Sequence, residues 1–151
     1  MFEKLKQLFS GVEEDDKKTT MSLELAAAAL LIEVSKSDYE QDPKEIEKIQ
    51  ELLVRCFSVS LANIEDFMTT ATALNKDSTS LYPFTRYIND NCNNIEKYEL
   101  IVALWEVAIE DGQIDKYEDH LIRKISDLIY LPHTEFIRAK LTTTEKLLAN
   151  R

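Results

Sequence analysis

Eight carboxylates carry the first chemical signal in this sequence. Sliding the chain on itself by 73 residues sets Leu31, Glu33, Val34, Asp38, Asp42, Glu45 and Ile49 on Leu104, Glu106, Val107, Asp111, Asp115, Glu118 and Ile122 without a gap. The shared pattern is E-V-x-x-x-D-x-x-x-D-x-x-E, and each copy spans a helix end, a short loop and the next helix start. Oxygen-only donors of this kind suit a hard divalent ion such as calcium, magnesium or manganese. The acidic spacing of five, four and three does not follow the alternate-residue pattern of an EF-hand loop. Zinc is disfavoured because Cys56 and Cys92 lack C-x-x-C spacing and His120 and His133 are the sole histidines. A carboxylate-bridged di-iron bundle is disfavoured too, since no E-x-x-H occurs.

Most of these acids also have a plain structural use. Asp42-Pro43-Lys44-Glu45 and Asp115-Lys116-Tyr117-Glu118 read as helix starts, with Asp as the N-cap and Glu as the third helical residue. Each such cap stabilises its helix by ~1 kcal/mol. Capping does not account for Glu33 and Glu106, which sit among apolar neighbours where an unanswered carboxylate is costly. Their candidate partners are a Lys or Arg, a helix N-terminus or a bound cation. The repeat suggests that each Glu reaches the start of its own following helix.

Helices must position all of these groups. Two glycines and three prolines among 151 residues argue against a turn-rich β fold. Leu, Ala, Glu, Lys and Ile are abundant and favour helix. The expectation is an all-α, compact bundle of about seven to eight helices in two pseudo-symmetric helix-loop-helix halves. The expected helices run over about 21–36, 43–57, from Ser60 or Asn63 through Leu74, 81–88, 95–109, 116–130 and from Pro132 through Lys140. Asn75 to Ser80 reads as a polar loop and Asp111-Gly112 as a turn. The alanine run Ala26 to Ala29 predicts close helix approach and a central place for the first of these helices.

The expected organisation is an amphipathic helix and charged linker over 1–20, a helical domain over 21–141 and a C-terminal tail over 142–151, where Leu147 and Leu148 offer packing residues. Phe2, Leu5, Leu8 and Phe9 form the N-terminal stripe. It packs on the domain or, with Lys4 and Lys6, makes a peripheral membrane or partner contact. The net charge of −10 opposes nucleic acid and anionic membrane, and no local basic patch offsets it. The longest apolar run, Leu25 to Ile32, is too short to span a bilayer. The chain reads as reduced and cytoplasmic, with its two cysteines making no disulfide framework. Cys56 and Trp105 are expected in the core and His120 on the surface, and Tyr82, Phe84 and Tyr87 read as packing residues.

The doubled acidic motif, with E-D-G-Q-I-D-K-Y-E in its second copy, resembles the TerB family of tellurite-resistance proteins. Leu131 to Lys140 is similar to a subgroup of bacterial members related to the N-terminal region of DjlA-type co-chaperones. The similarity spans roughly Met21 to Lys140. It implies a helical domain of two related halves that binds divalent cations through acidic clusters and acts in membrane-linked stress complexes. The matching positions are Asp38, Asp42 and Glu45, then Asp111, Asp115 and Glu118, with Glu33 and Glu106 upstream. Tyr39 stands where the second copy has Gly112, which departs from a tight turn.

No P-loop, G-x-G-x-x-G or G-x-S-x-G motif is present, so no catalytic role and no organic cofactor are expected. The two leading readings are a cation-binding domain with protein partners and an interaction module whose acids only cap helices. A metal-dependent hydrolase using the same acids ranks third.

Overall fold

The computed structural model describes residues 21–36, 43–110, 112 and 114–149. Seven α-helices fill these residues: α1 Leu23–Ser35, α2 Pro43–Phe57, α3 Ile64–Asp77, α4 Tyr82–Asn91, α5 Asn94–Ala108, α6 Lys116–Leu128 and α7 His133–Ala149. No strand occurs among them. The N-terminal helix and linker expected over 1–20, and the candidate ligands Asp38, Asp42 and Asp111, lie outside the described residues.

Two helices organise the bundle. In α1, Ala26 to Leu31 are all fully buried, because methyl side chains let neighbouring helices approach from several directions at once. α2, α3, α4, α5 and α6 all pack against it. Its start is fixed by Ser22, whose Oγ accepts the Leu25 N–H at 3.1 Å. α5 is the second buried helix, with Leu100, Ile101, Leu104, Trp105, Val107 and Ala108 at 2% exposure or less. It packs on α1, α2, α6 and α7. A capping box starts it: Asn93 Oδ1 accepts the Glu96 N–H, and Glu96 Oε1 accepts the Asn93 N–H, each at 2.9 Å.

The sequence repeat is also a repeat of environment. Leu31 and Leu104, Val34 and Val107, and Ile49 and Ile122 are each fully buried. Glu45 and Glu118 are each 1% exposed, and Glu33 and Glu106 are each half-buried. α1 and α2 therefore correspond to α5 and α6 in burial as well as in sequence.

Several expectations shift. Asn75 belongs to the last turn of α3 and is buried, so the loop that follows begins only at Ser78. A 3-10 turn at Leu61–Asn63 leads into α3, and neither Ser60 nor Asn63 caps it by a side chain. α7 runs on through Thr143, which is buried and returns its hydroxyl to the Ala139 carbonyl at 2.8 Å. The side chains of Leu147 and Leu148 lie outside the described residues.

Cys56 is exposed rather than in the core. The buried stripe Glu45, Ile49, Leu52 and Leu53 extrapolates to position 56, but the chain leaves the helix at Ser58 with φ 59°. Phe57 and Val59 take the packing places instead. Trp105 is fully buried and His120 exposed, as the sequence indicates. Of the aromatic trio, Phe84 is core, Tyr87 half-buried and Tyr82 59% exposed.

Two outcomes follow from this packing. Ala28→Leu inserts a branched side chain at a fully buried position of the central helix, and urea unfolding should register a loss of about 1–3 kcal/mol. Cys56 should be alkylated by iodoacetamide well before Cys92. Burial, with Glu96 nearby, pushes the Cys92 thiol above its ordinary pKa, so less of it is thiolate at a given pH.

Candidate acidic bends and their neighbouring grooves

The second bend is the better described of the two. α5 ends at Ala108, and the Gly112 N–H turns back to the Ile109 carbonyl at 2.9 Å. Gly112 has φ 90°, a conformation that a residue with a Cβ enters only at some cost. Asp115 then caps α6. Its Oδ1 accepts the Tyr117 N–H at 2.7 Å, and Glu118 Oε1 accepts the Asp115 N–H at 3.2 Å. The expected Asp–Glu capping box is present.

Glu118 differs from the other box acid in its burial. Glu96 performs the same backbone task at the start of α5 and stays exposed, whereas Glu118 is 1% exposed. Capping needs one carboxylate oxygen and no burial, so burial is what sets Glu118 apart from Glu96 in the same role. Glu45 shares that placement at the start of α2.

Glu33 and Glu106 behave otherwise than expected. Among the described residues, neither pairs with the start of its own following helix. Glu106 Oε2 pairs with Arg55 at the end of α2, at 3.1 Å, with side chains 15% and 54% exposed. Arg55 is held above its ordinary range chiefly by a hydrogen bond with Cys56, and also by Glu106 and Glu51. Glu33 Oε1 accepts from Asn75 Nδ2 on α3 at 2.8 Å. The structure therefore sends both acids to elements away from the bends, and no three His, Cys, Asp or Glu side chains gather as a metal cluster among the described residues.

Two grooves border this framework. One, of about 680 Å³, lies between α6 and α7 and is lined by Lys116, Tyr117, His120, Arg123 and Lys140 around Asp119. Lys140 Nζ meets Asp119 at 2.7 Å and Arg123 meets it at 3.8 Å. Lys140 lies 5.2 Å from the Trp105 ring centre, and Arg123 lies 5.0 Å from that of Phe136. These cations are scattered in sequence, which hid the local excess. The other groove, of about 430 Å³, holds Glu33 and Lys124 and lies along the α3–α4 connection and α6. Sequence reasoning missed Arg55 and Asn75 as partners of the acids, and Lys124 as lining the same groove as Glu33, because each pairing joins segments far apart in the chain.

A family model described as Tellurite resistance protein TerB matches residues 24–141. No curated protein and no solved structure matches the chain.

The Arg55–Glu106 pair invites a direct measurement. A double-mutant cycle of Arg55→Met and Glu106→Gln, read by urea unfolding, should return a coupling of about 0.2–1 kcal/mol, held to that range by the solvent around Arg55.

Proposed function

Since this chain belongs to the tellurite-resistance TerB family, with the match covering residues 24–141, we propose that it is a non-catalytic module that takes a divalent cation at its two acidic bends. Asp38, Asp42 and Glu45 would serve one bend, and Asp111, Asp115 and Glu118 the other. The ion, calcium, magnesium or manganese, acts as a structural or regulatory clamp between one helix end and the next helix start. Glu33 and Glu106, each engaged by a protein group of its own, stay outside the ligand set in this reading.

The observation that carries the proposal is the matched burial of Glu45 and Glu118 at 1% exposure, set against the exposed Glu96. The repeat brings two further acids close in sequence to each of these glutamates, and a bound cation would answer the negative potential of such a set. The net charge of −10 draws cations toward the surface from a distance. The module works by joining a protein partner in a tellurite-resistance or membrane-linked stress complex, with the cation setting the shape of the bends that the partner meets.

A specific observation also favours a second reading, in which the acids serve only as caps of an interaction module. In α6 the Asp115–Glu118 box satisfies backbone groups by itself, with Oε1 of Glu118 already accepting the Asp115 N–H.

Calorimetry and thermal unfolding with Ca²⁺, Mg²⁺ and Mn²⁺ separate the two. Ion at a hundredfold excess over Kd should add about 2.7 kcal/mol to stability, which is roughly 5–10 °C in Tm for a chain of this size. Asp115→Asn removes a charge while Asn still caps a helix, so it should abolish the ion-dependent rise and leave the ion-free Tm nearly unchanged. No rise with any of the three ions at millimolar concentration establishes the capping-only module.

A further inference from the structure

The α3–α4/α6 groove holds two opposite charges that do not meet. Glu33 is half-buried there, and Lys124 is exposed. Both line the same cavity, and neither takes part in an ion pair among the described residues. A surface that merely avoided charge imbalance would let them pair or leave both in open water.

Glu33 is held in place by a built network. Asn75, only 6% exposed, donates from Nδ2 to Glu33 Oε1 at 2.8 Å and to the Ala29 carbonyl at 3.0 Å. Its Oδ1 accepts from Lys36 Nζ at 2.8 Å. These partners fix which end of the amide is which, since a flipped Asn75 would face its oxygen toward a carbonyl and a carboxylate. The Lys36 ammonium thus connects to Glu33 through an amide, and that amide orients the carboxylate. The same groove is lined by Tyr82, 59% exposed, and Leu128, 36% exposed, whose apolar surface stands beside the two charges.

We infer that this groove binds a free α-amino acid with an apolar side chain. Its ammonium meets Glu33, its carboxylate meets Lys124, and its side chain rests against Tyr82 and Leu128. The cavity of about 430 Å³ falls within the size range of small-molecule sites. An oriented carboxylate and an ammonium lining one groove select a ligand bearing both charges, because a ligand lacking one leaves the other anchor unanswered. The inference stands apart from the cation reading, which uses other residues.

Isothermal titration of the full chain with L-leucine and L-phenylalanine, in EDTA, tests it. Two partial ligands accompany them: 3-methylbutylamine, which lacks the carboxylate of leucine, and 4-methylpentanoate, which lacks its ammonium. At least one amino acid should bind saturably, and the partial ligands should bind at least about tenfold more weakly. Glu33→Gln and Lys124→Met should each weaken amino-acid binding by a similar factor. Lys124 is exposed, so its variant should fold with an unchanged circular dichroism melt and stands as the decisive one if Glu33→Gln unfolds. No saturable heat up to about 10 mM of either amino acid overturns the inference. So does binding of the amine alone with equal strength, or binding that survives Lys124→Met intact.

Discussion

A helix that is apolar on every side can have only one place in a small domain, and α1 takes that place. Ala26 to Leu31 are all fully buried, so every face of this stretch must meet another helix. α2, α3, α4, α5 and α6 supply those faces. The alanines make this possible by keeping the helix thin, and α5 repeats the arrangement with larger side chains, including Trp105. Nearly everything else follows from the two buried helices. They set where the chain can turn, and the turns are where polar groups collect. In each of the two helices a single glutamate lies in the last turns, at the edge of the apolar core, where a carboxylate can still find a partner.

Much of this was legible in the sequence because it is local. The apolar run of α1, Pro43 at the head of α2, Pro83 in the first turn of α4 and the Asp115–Glu118 box all act within a few residues. Their effects follow from backbone geometry. The repeat was legible for another reason: identical spacing preserves the burial of each position, so Glu45 and Glu118 share an environment although 73 residues separate them. The partners of Glu33 and Glu106 were not legible. Asn75 and Arg55 lie 42 and 51 residues away from them, and no periodicity encodes which helix crosses which. Cys56 misled for a related reason. It obeys the apolar period of α2, yet the positive φ at Ser58 ends that period one turn too early.

Charge is distributed in the same spirit. The chain is strongly acidic as a whole, yet Arg123 and Lys140 converge on Asp119 beside the second bend. Asp119 and the rings of Trp105 and Phe136 hold these cations in order. The acidic bend thus has a positively charged shoulder. Any ion or partner approaching α6 meets both signs within one helix, which favours orientation over simple attraction.

The two halves show how a repeated framework can serve unlike ends. Glu33 and Glu106 occupy equivalent positions with equivalent burial, yet their partners differ in kind. Arg55 brings a full positive charge to Glu106 and closes that position electrostatically. Asn75 brings only an amide dipole to Glu33, so the carboxylate is fixed in orientation while its charge remains largely available. Neutralisation and orientation are separable effects, since a charged donor supplies both and an amide supplies mainly the second. The difference arises outside the repeated segment, from which residue α2 or α3 places against the acid. The repeat therefore sets where a carboxylate stands, and the surrounding helices decide whether it closes the structure or faces a ligand.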